Sequence, residues 1–205
     1  ILYYELDLII IGKYLGAESA AVYALAFTFM KFLRTILSVV FSPFQNRYNH
    51  LLGIDDYEGF KNLLYKVIKL SMPVFIFLAV SIVLLRNNIV LCWVGPGFDK
   101  SAGILGFLAM NYLFAFITVP ASNSLVALTR IKDMYYISTV SVTVYWLGIL
   151  LTLSNNGVYA FAVFKLVSGV VSMFLYLRIL LKILEAKLPE FIRGTVFEIA
   201  IPTIL

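Results

Sequence analysis

Of the chain's 205 residues, 62% are hydrophobic and 13% charged, against about 45–50% and about 25% in soluble proteins, which leaves too few polar groups to clothe a water-soluble globule. The 16 basic and 11 acidic residues give a net charge of +5, and the single cysteine, Cys92, excludes an internal disulfide or a thiolate metal cluster. Uncharged runs from Leu70 to Leu85, Ser101 to Thr129 and Met134 to Phe164 suit helical spans of about 20 residues through roughly 30 Å of hydrocarbon, while the alternating strands of a membrane barrel are absent.

The chain therefore reads as all-α, a polytopic integral membrane helical bundle forming one transmembrane domain over 1–205 with no soluble domain. A partial span, Ile1 to Ile11, comes first. Complete spans follow at Ala20 to Phe44, Lys69 to Cys92, Ser101 to Leu128, Met134 to Leu153 and Val158 to Leu177, and Thr195 to Leu205 begins another. The start at Ile1 is already apolar, without a basic leader region, and the run from Phe197 to Leu205 is unfinished, so both ends read as cuts in a longer protein. Gly12 and Gly16, Gly95-Pro96-Gly97 and Asn156-Gly157 supply the turns. Pro73, Pro120 and Pro202 fall within spans as kinks. Between spans, residues 57–69 place Tyr57, Phe60, Leu64 and Ile68 on one helical face and Lys61, Lys66 and Lys69 on the other, the pattern of an interfacial amphipathic helix.

Alternating connections sort the lysines and arginines. One side collects Arg47, Lys61, Lys66, Lys69, Arg130, Lys132, Arg178, Lys182, Lys187 and Arg193, the other only Lys13, Arg86 and Lys100. The positive-inside rule places loops 45–68, 129–133 and 178–194 in the cytoplasm of a cell inner membrane. The basic balance is thus topological and calls for no nucleic acid.

Three cations remain inside spans. Lys31 and Arg34 are three residues apart, so they share a helix face, about 16 Å and about 15 Å from the two ends of their span. At that depth a lone cation costs roughly 2.5–3.5 kcal/mol, so the two must face a wet cavity, an anion or a carboxylate. Glu5 or Asp7 would make them part of a structural ion pair; an anionic substrate would make them a binding site. Their face continues through Ser38 and Gln45. Lys165 heads a similar stripe with Ser168, Ser172 and Tyr176, either as a third cavity cation or as a lysine snorkelling from about 12 Å. Asn111, Thr118 and Ser122, and Ser138, Ser141, Tyr145 and Thr152, form further polar stripes of the kind that bond helices together. His50 is the only histidine, so a His-based metal site or catalytic triad cannot be built, and no cofactor loop is present. Without a substantial external loop bearing acids, bases and a nucleophile, the chain is not read as an enzyme.

Several segments together resemble the multidrug/oligosaccharidyl-lipid/polysaccharide exporter superfamily, in its polysaccharide or O-antigen flippase branch. They are Asp7-Leu8-Ile9-Ile10-Ile11-Gly12-Lys13-Tyr14-Leu15-Gly16 followed by Val22-Tyr23-Ala24-Leu25-Ala26, then Pro43, Trp93-Val94-Gly95-Pro96-Gly97-Phe98 with Ala102, and Leu128-Thr129-Arg130-Ile131-Lys132. The order and spacing of these segments carry the likeness. Ala21 and the pair Leu128-Thr129 depart from it, standing where glycines are usual.

The resemblance implies one lobe of a two-lobe transporter, the C-terminal half of a longer chain whose missing first half is its partner. The implied activity is translocation of an undecaprenyl-pyrophosphate-linked oligosaccharide across the plasma membrane by alternating access. Membrane lipids and the polysaccharide polymerase machinery are the other implied partners. On this reading Lys31, Arg34 and Lys165 bind the pyrophosphate, Ser38, Asn111, Ser168 and Ser172 line the cavity, and Asp7 is open to ion coupling or to a structural role at a helix end. A drug/cation antiporter of the same superfamily, a membrane glycosyltransferase or polymerase, and a non-transporting envelope scaffold are the alternatives.

Overall fold

The computed structural model describes residues 6–197, apart from the side chains of residues 154, 155, 192, 196 and 197. Glu5, Pro202 and most of the two partial spans lie outside that range. Among the described residues there is no strand. Hydrocarbon offers backbone N–H and C=O groups no partner, so a chain this apolar must satisfy them within helices. Five helices are long and apolar enough to cross a membrane: Leu6–Gly53, Tyr57–Val94, Asp99–Ala127, Ile131–Leu153 and Val158–Leu184. Each coincides with one of the five complete spans read from the sequence.

The first element, α1 (Leu6–Gly53), breaks at Gly16, whose φ of 85° and ψ of 167° are open essentially to glycine alone. The Tyr23 hydroxyl donates to the Asp7 carboxylate at 2.8 Å. On a straight helix those residues would lie about 24 Å apart, so the chain reverses at Gly16. Residues 6–15 are the end of one arm and 17–53 a second arm returning beside it. Gly12, expected to turn, is helical, and the reversal rests on Gly16. The second arm runs through Pro43 without ending there. A proline removes the hydrogen bond to the carbonyl four residues back, and here the Ser42 hydroxyl donates to that carbonyl, on Val39, at 3.0 Å.

The amphipathic stretch 57–69 does not form a separate element. It is the beginning of α2 (Tyr57–Val94). Beyond the exposed Tyr57, its apolar face is covered by protein: Phe60, Leu64, Val67 and Ile68 are buried, and Tyr48 of α1 meets Phe60 edge-on with ring centroids 5.4 Å apart. The periodicity that would seat a helix on a membrane also seats one on its neighbours, and the spacing of apolar residues is identical in the two cases.

The third span is interrupted. Helix α3 (Asp99–Met110) passes through a 3₁₀ turn, Asn111–Phe114, into α4 (Ala115–Ala127). Pro120 deprives the Phe116 carbonyl of its usual donor, and the Ser71 hydroxyl, shared with Ile68, approaches that oxygen at 3.4 Å. Helices α5 (Ile131–Asn156) and α6 (Val158–Leu184) pair closely. The Phe164 ring lies against Gly148 with no room for a Cβ there, and Ser141 and Ser172 share a hydrogen bond of 2.6 Å. A short α7 (Leu188–Ile192) follows. At one end of the bundle Lys61 pairs with Glu185 at 2.9 Å. At the other, the Tyr159 hydroxyl reaches the Lys100 carbonyl at 3.5 Å. Two apolar clusters fill these ends, one around Tyr23, Leu105 and Phe161, the other around Tyr48, Leu64 and Phe75.

Candidate functional site

Between the two clusters the second arm of α1 turns its face away from the packed core. Met30 and Leu37 are buried, whereas none of residues 31–36 is. The 3₁₀ turn lies opposite, because Tyr112 donates to the Met30 carbonyl at 3.3 Å. A cavity of about 540 Å³ occupies this mid-depth gap, walled by α1, the 3₁₀ turn, α4, α5 and α6. Lys31, Arg34 and Lys165 all line it. The first two are brought there by helix geometry alone, since three residues place their Cα atoms about 100° × 3, or 60° short of a full turn, apart. Lys165 arrives from a helix more than a hundred residues later in the chain.

Neutral groups complete the wall. Asn111, Thr118 and Ser122, and Ser138, Ser141 and Ser172, all border the cavity, as do Asn123, Tyr112 and Tyr176. The stripes read as packing glue therefore serve twice, because Ser141 both bonds Ser172 and faces the cavity. Asn111 rests its side-chain oxygen on Gly169 of α6, where a Cβ would not fit. Two expected lining residues are placed elsewhere. Ser168 is fully buried behind the wall and donates to the Ser141 carbonyl at 3.0 Å, since one-residue offsets on a helix rotate a side chain by 100°. Ser38 borders a smaller adjoining cavity of about 330 Å³, which also takes in Ser42, Gln45, Phe41 and Phe75 and shares Arg34, Tyr112 and Asn123 with the larger one.

Lys165 does not snorkel. It is 7% exposed and forms an ion pair with Asp7, which is 0% exposed. Tyr23 donates to the same carboxylate oxygen at 2.8 Å and lies 3.5 Å from the Lys165 ammonium. The ammonium also sits over the rings of Phe27 at 5.0 Å and Tyr145 at 5.3 Å. The other Asp7 oxygen, Oδ1, is buried with no hydrogen-bond partner. The Asp7 carboxylate thus offsets the Lys165 charge. Asp7, Tyr23 and Lys165 tie together both arms of α1 and α6, across the Gly16 reversal.

The pairing of Asp7 with Lys165 was not legible in the sequence, nor was Tyr23 as their common partner. Periodicity reports which residues share a face, not which faces meet. The available signal was charge complementarity between an acid and a base each stranded within an apolar run. Tyr112 and Asn123 also escaped notice. They come to the site through the 3₁₀ turn and the Pro120 kink, which shift the helical register.

No curated protein and no solved structure matches the chain at a significant level. Residues 1–153, which contain α1 through most of α5 and hence Asp7, Tyr23, Lys31 and Arg34, match the MatE family. Together with the five apolar helices and the polar cavity among them, this match shows that the chain belongs to the MatE family of membrane transporters, within the multidrug/oligosaccharidyl-lipid/polysaccharide exporter superfamily.

Proposed function

We propose that the chain is part of a flippase that moves an undecaprenyl-pyrophosphate-linked oligosaccharide across the plasma membrane by alternating access. The observation that carries this reading is the mid-depth cavity with Lys31, Arg34 and Lys165 on its wall. The residues that border it include these three cations and no carboxylate. Charge of that sign between apolar clusters favours a substrate with negative charge, and a pyrophosphate accepts charge-assisted hydrogen bonds from guanidinium and ammonium groups. Hydroxyls and amides beside the cations suit a sugar head, while the prenyl chain stays in lipid. Rocking of this lobe against a second, similar one would expose the cavity to each side in turn. The loops at 45–68, 129–133 and 178–194 face the cytoplasm on this reading.

Reversal of one charge, Arg34→Glu, tests it. The lipid-linked oligosaccharide should accumulate on the cytoplasmic leaflet while the amount of protein in the membrane is unchanged. Transport at the wild-type rate with normal protein level would sink the proposal.

A drug/cation antiporter is favoured by one observation, the buried Asp7 carboxylate with its unpartnered Oδ1. Its charge is already matched by Lys165, which favours an anionic cargo with Asp7 as the place where an ion gradient is coupled. If so, Asp7→Asn flattens the dependence of transport on pH or sodium; an unaltered dependence removes Asp7 from the coupling.

A further inference from the structure

We propose that the smaller cavity is a separate subsite for the uncharged sugar rings next to the pyrophosphate, joined to the cationic site at Arg34. The proposal rests on the flippase reading and adds where the glycan is held. Arg34, Tyr112 and Asn123 border both cavities, so a ligand whose phosphate reaches Arg34 has its next atoms at the mouth of the smaller one.

The two cavities differ in chemistry. Lys31 and Lys165 border only the larger one. Beyond Arg34, the polar groups of the smaller cavity are Ser38, Ser42, Gln45, Asn123 and the Tyr112 hydroxyl, all neutral. Ser38, Ser42, Gln45 and Asn49 follow spacings of four, three and four, so they form one stripe of α1. It extends about 16 Å from Arg34 to Gln45, toward the bundle end that carries Lys61 and Glu185. A hydroxyl and amide stripe is a poor host for a prenyl tail, because covering it with hydrocarbon costs hydrogen bonds to water. It is also a weak host for a second phosphate, for lack of cations.

Aromatic rings close the inner side of this cavity. Phe41 and Phe75 stack with centroids 5.2 Å apart and an interplanar angle of 21°, and Phe75 meets Tyr112 at 6.4 Å and 29°. Phe41 and Phe75 are buried, at 6% and 0% exposed, so they close the cavity behind the row of amides and hydroxyls, and that row suits the hydroxyl edge of a pyranose ring. The rim groups are supplied as acceptors as well as donors. Ser42 donates its proton to Val39 and Gln45 donates to the Asn49 side chain at 3.4 Å, which leaves Ser42 Oγ and Gln45 Oε1 to accept from sugar hydroxyls. At about 330 Å³ the space is at the small end for ligand sites, so it holds the first sugars and not a whole oligosaccharide.

The test uses purified protein in lipid nanodiscs and binding of undecaprenyl pyrophosphate bearing N-acetylglucosamine, galactose or no sugar. The wild type is expected to bind at least one sugar-bearing lipid about tenfold more tightly than the bare lipid. Gln45→Leu with Ser38→Leu, both bordering only the smaller cavity, should abolish that difference and leave bare-lipid affinity intact. Arg34→Gln should weaken binding of all three. If the leucine variant does not assemble, Gln45→Ala with Ser38→Ala carries the same readout. Equal wild-type affinity for all three lipids, or a tenfold preference that survives both double variants, overturns the subsite. Bare-lipid binding untouched by Arg34→Gln would instead overturn the flippase reading beneath it.

Discussion

Replacing Lys165 by methionine keeps an unbranched apolar stem and removes the charge, which isolates Asp7 in a place with no solvent. Asp7 is 0% exposed and its Oδ1 is already without a hydrogen-bond partner, so after the substitution the Tyr23 hydroxyl, at 2.8 Å, is its remaining donor. Removing one member of a buried ion pair costs about 3–5 kcal/mol. The ammonium's positions over Phe27 and Tyr145 add about 0.5–2 kcal/mol more. The expected loss is therefore at least about 3 kcal/mol. At roughly 2–4 °C per kcal/mol for a chain of this size, the unfolding temperature in detergent falls by at least about 6 °C. Asp7→Asn together with Lys165→Met should recover most of that loss, since neutral groups of matched shape replace a buried pair at little cost. Thermal unfolding of wild type, both single variants and the double variant completes the cycle. A double variant no more stable than the sum of the two single losses, or a Lys165→Met protein within about 3 °C of wild type, would refute the coupling.

Two further perturbations act away from the cavity. Thr129 adopts φ of 53° at the turn between α4 and α5, a left-handed conformation that costs a β-branched residue about 1–3 kcal/mol; Thr129→Gly should raise the unfolding temperature by a few degrees, and a lowered one would contradict the strain. The hydrogen bond and charge of Lys61 hold the Glu185 carboxyl below its ordinary range. A lowered folded value means that the contact stabilises above the unfolded carboxyl range and is lost as pH falls through the folded value. Wild type should therefore outlast Glu185→Gln by a small margin at pH 7, with the margin gone at about pH 3 and reduced by salt; a margin that grew on acidification would reverse the sign.

The departure at Leu128-Thr129 shows how far a sequence reading reaches. A glycine was expected before the basic pair, and its absence was visible. That the threonine takes the conformation glycine would have taken, instead of the turn being rebuilt, is a consequence of the short link between α4 and α5. The amphipathic stretch 57–69 shows the converse limit. Its two faces were readable, but the covering of the apolar face by Tyr48 and its neighbours, instead of lipid, was not.

What the sequence by itself determined follows from properties that live within one helix. Five spans, the common face of Lys31 and Arg34, and the continuation of that face through Ser38 and Gln45 need only 3.6 residues per turn and the cost of polar groups in hydrocarbon. What only the tertiary structure decided is which helices meet. Lys165 was poised between snorkelling and the cavity until α6 was set against both arms of α1, where Asp7 and Tyr23 receive it. Gly16 makes that meeting possible, because its reversal carries Asp7 across a distance no straight helix would close, and contacts between residues 158 positions apart leave no trace in local periodicity.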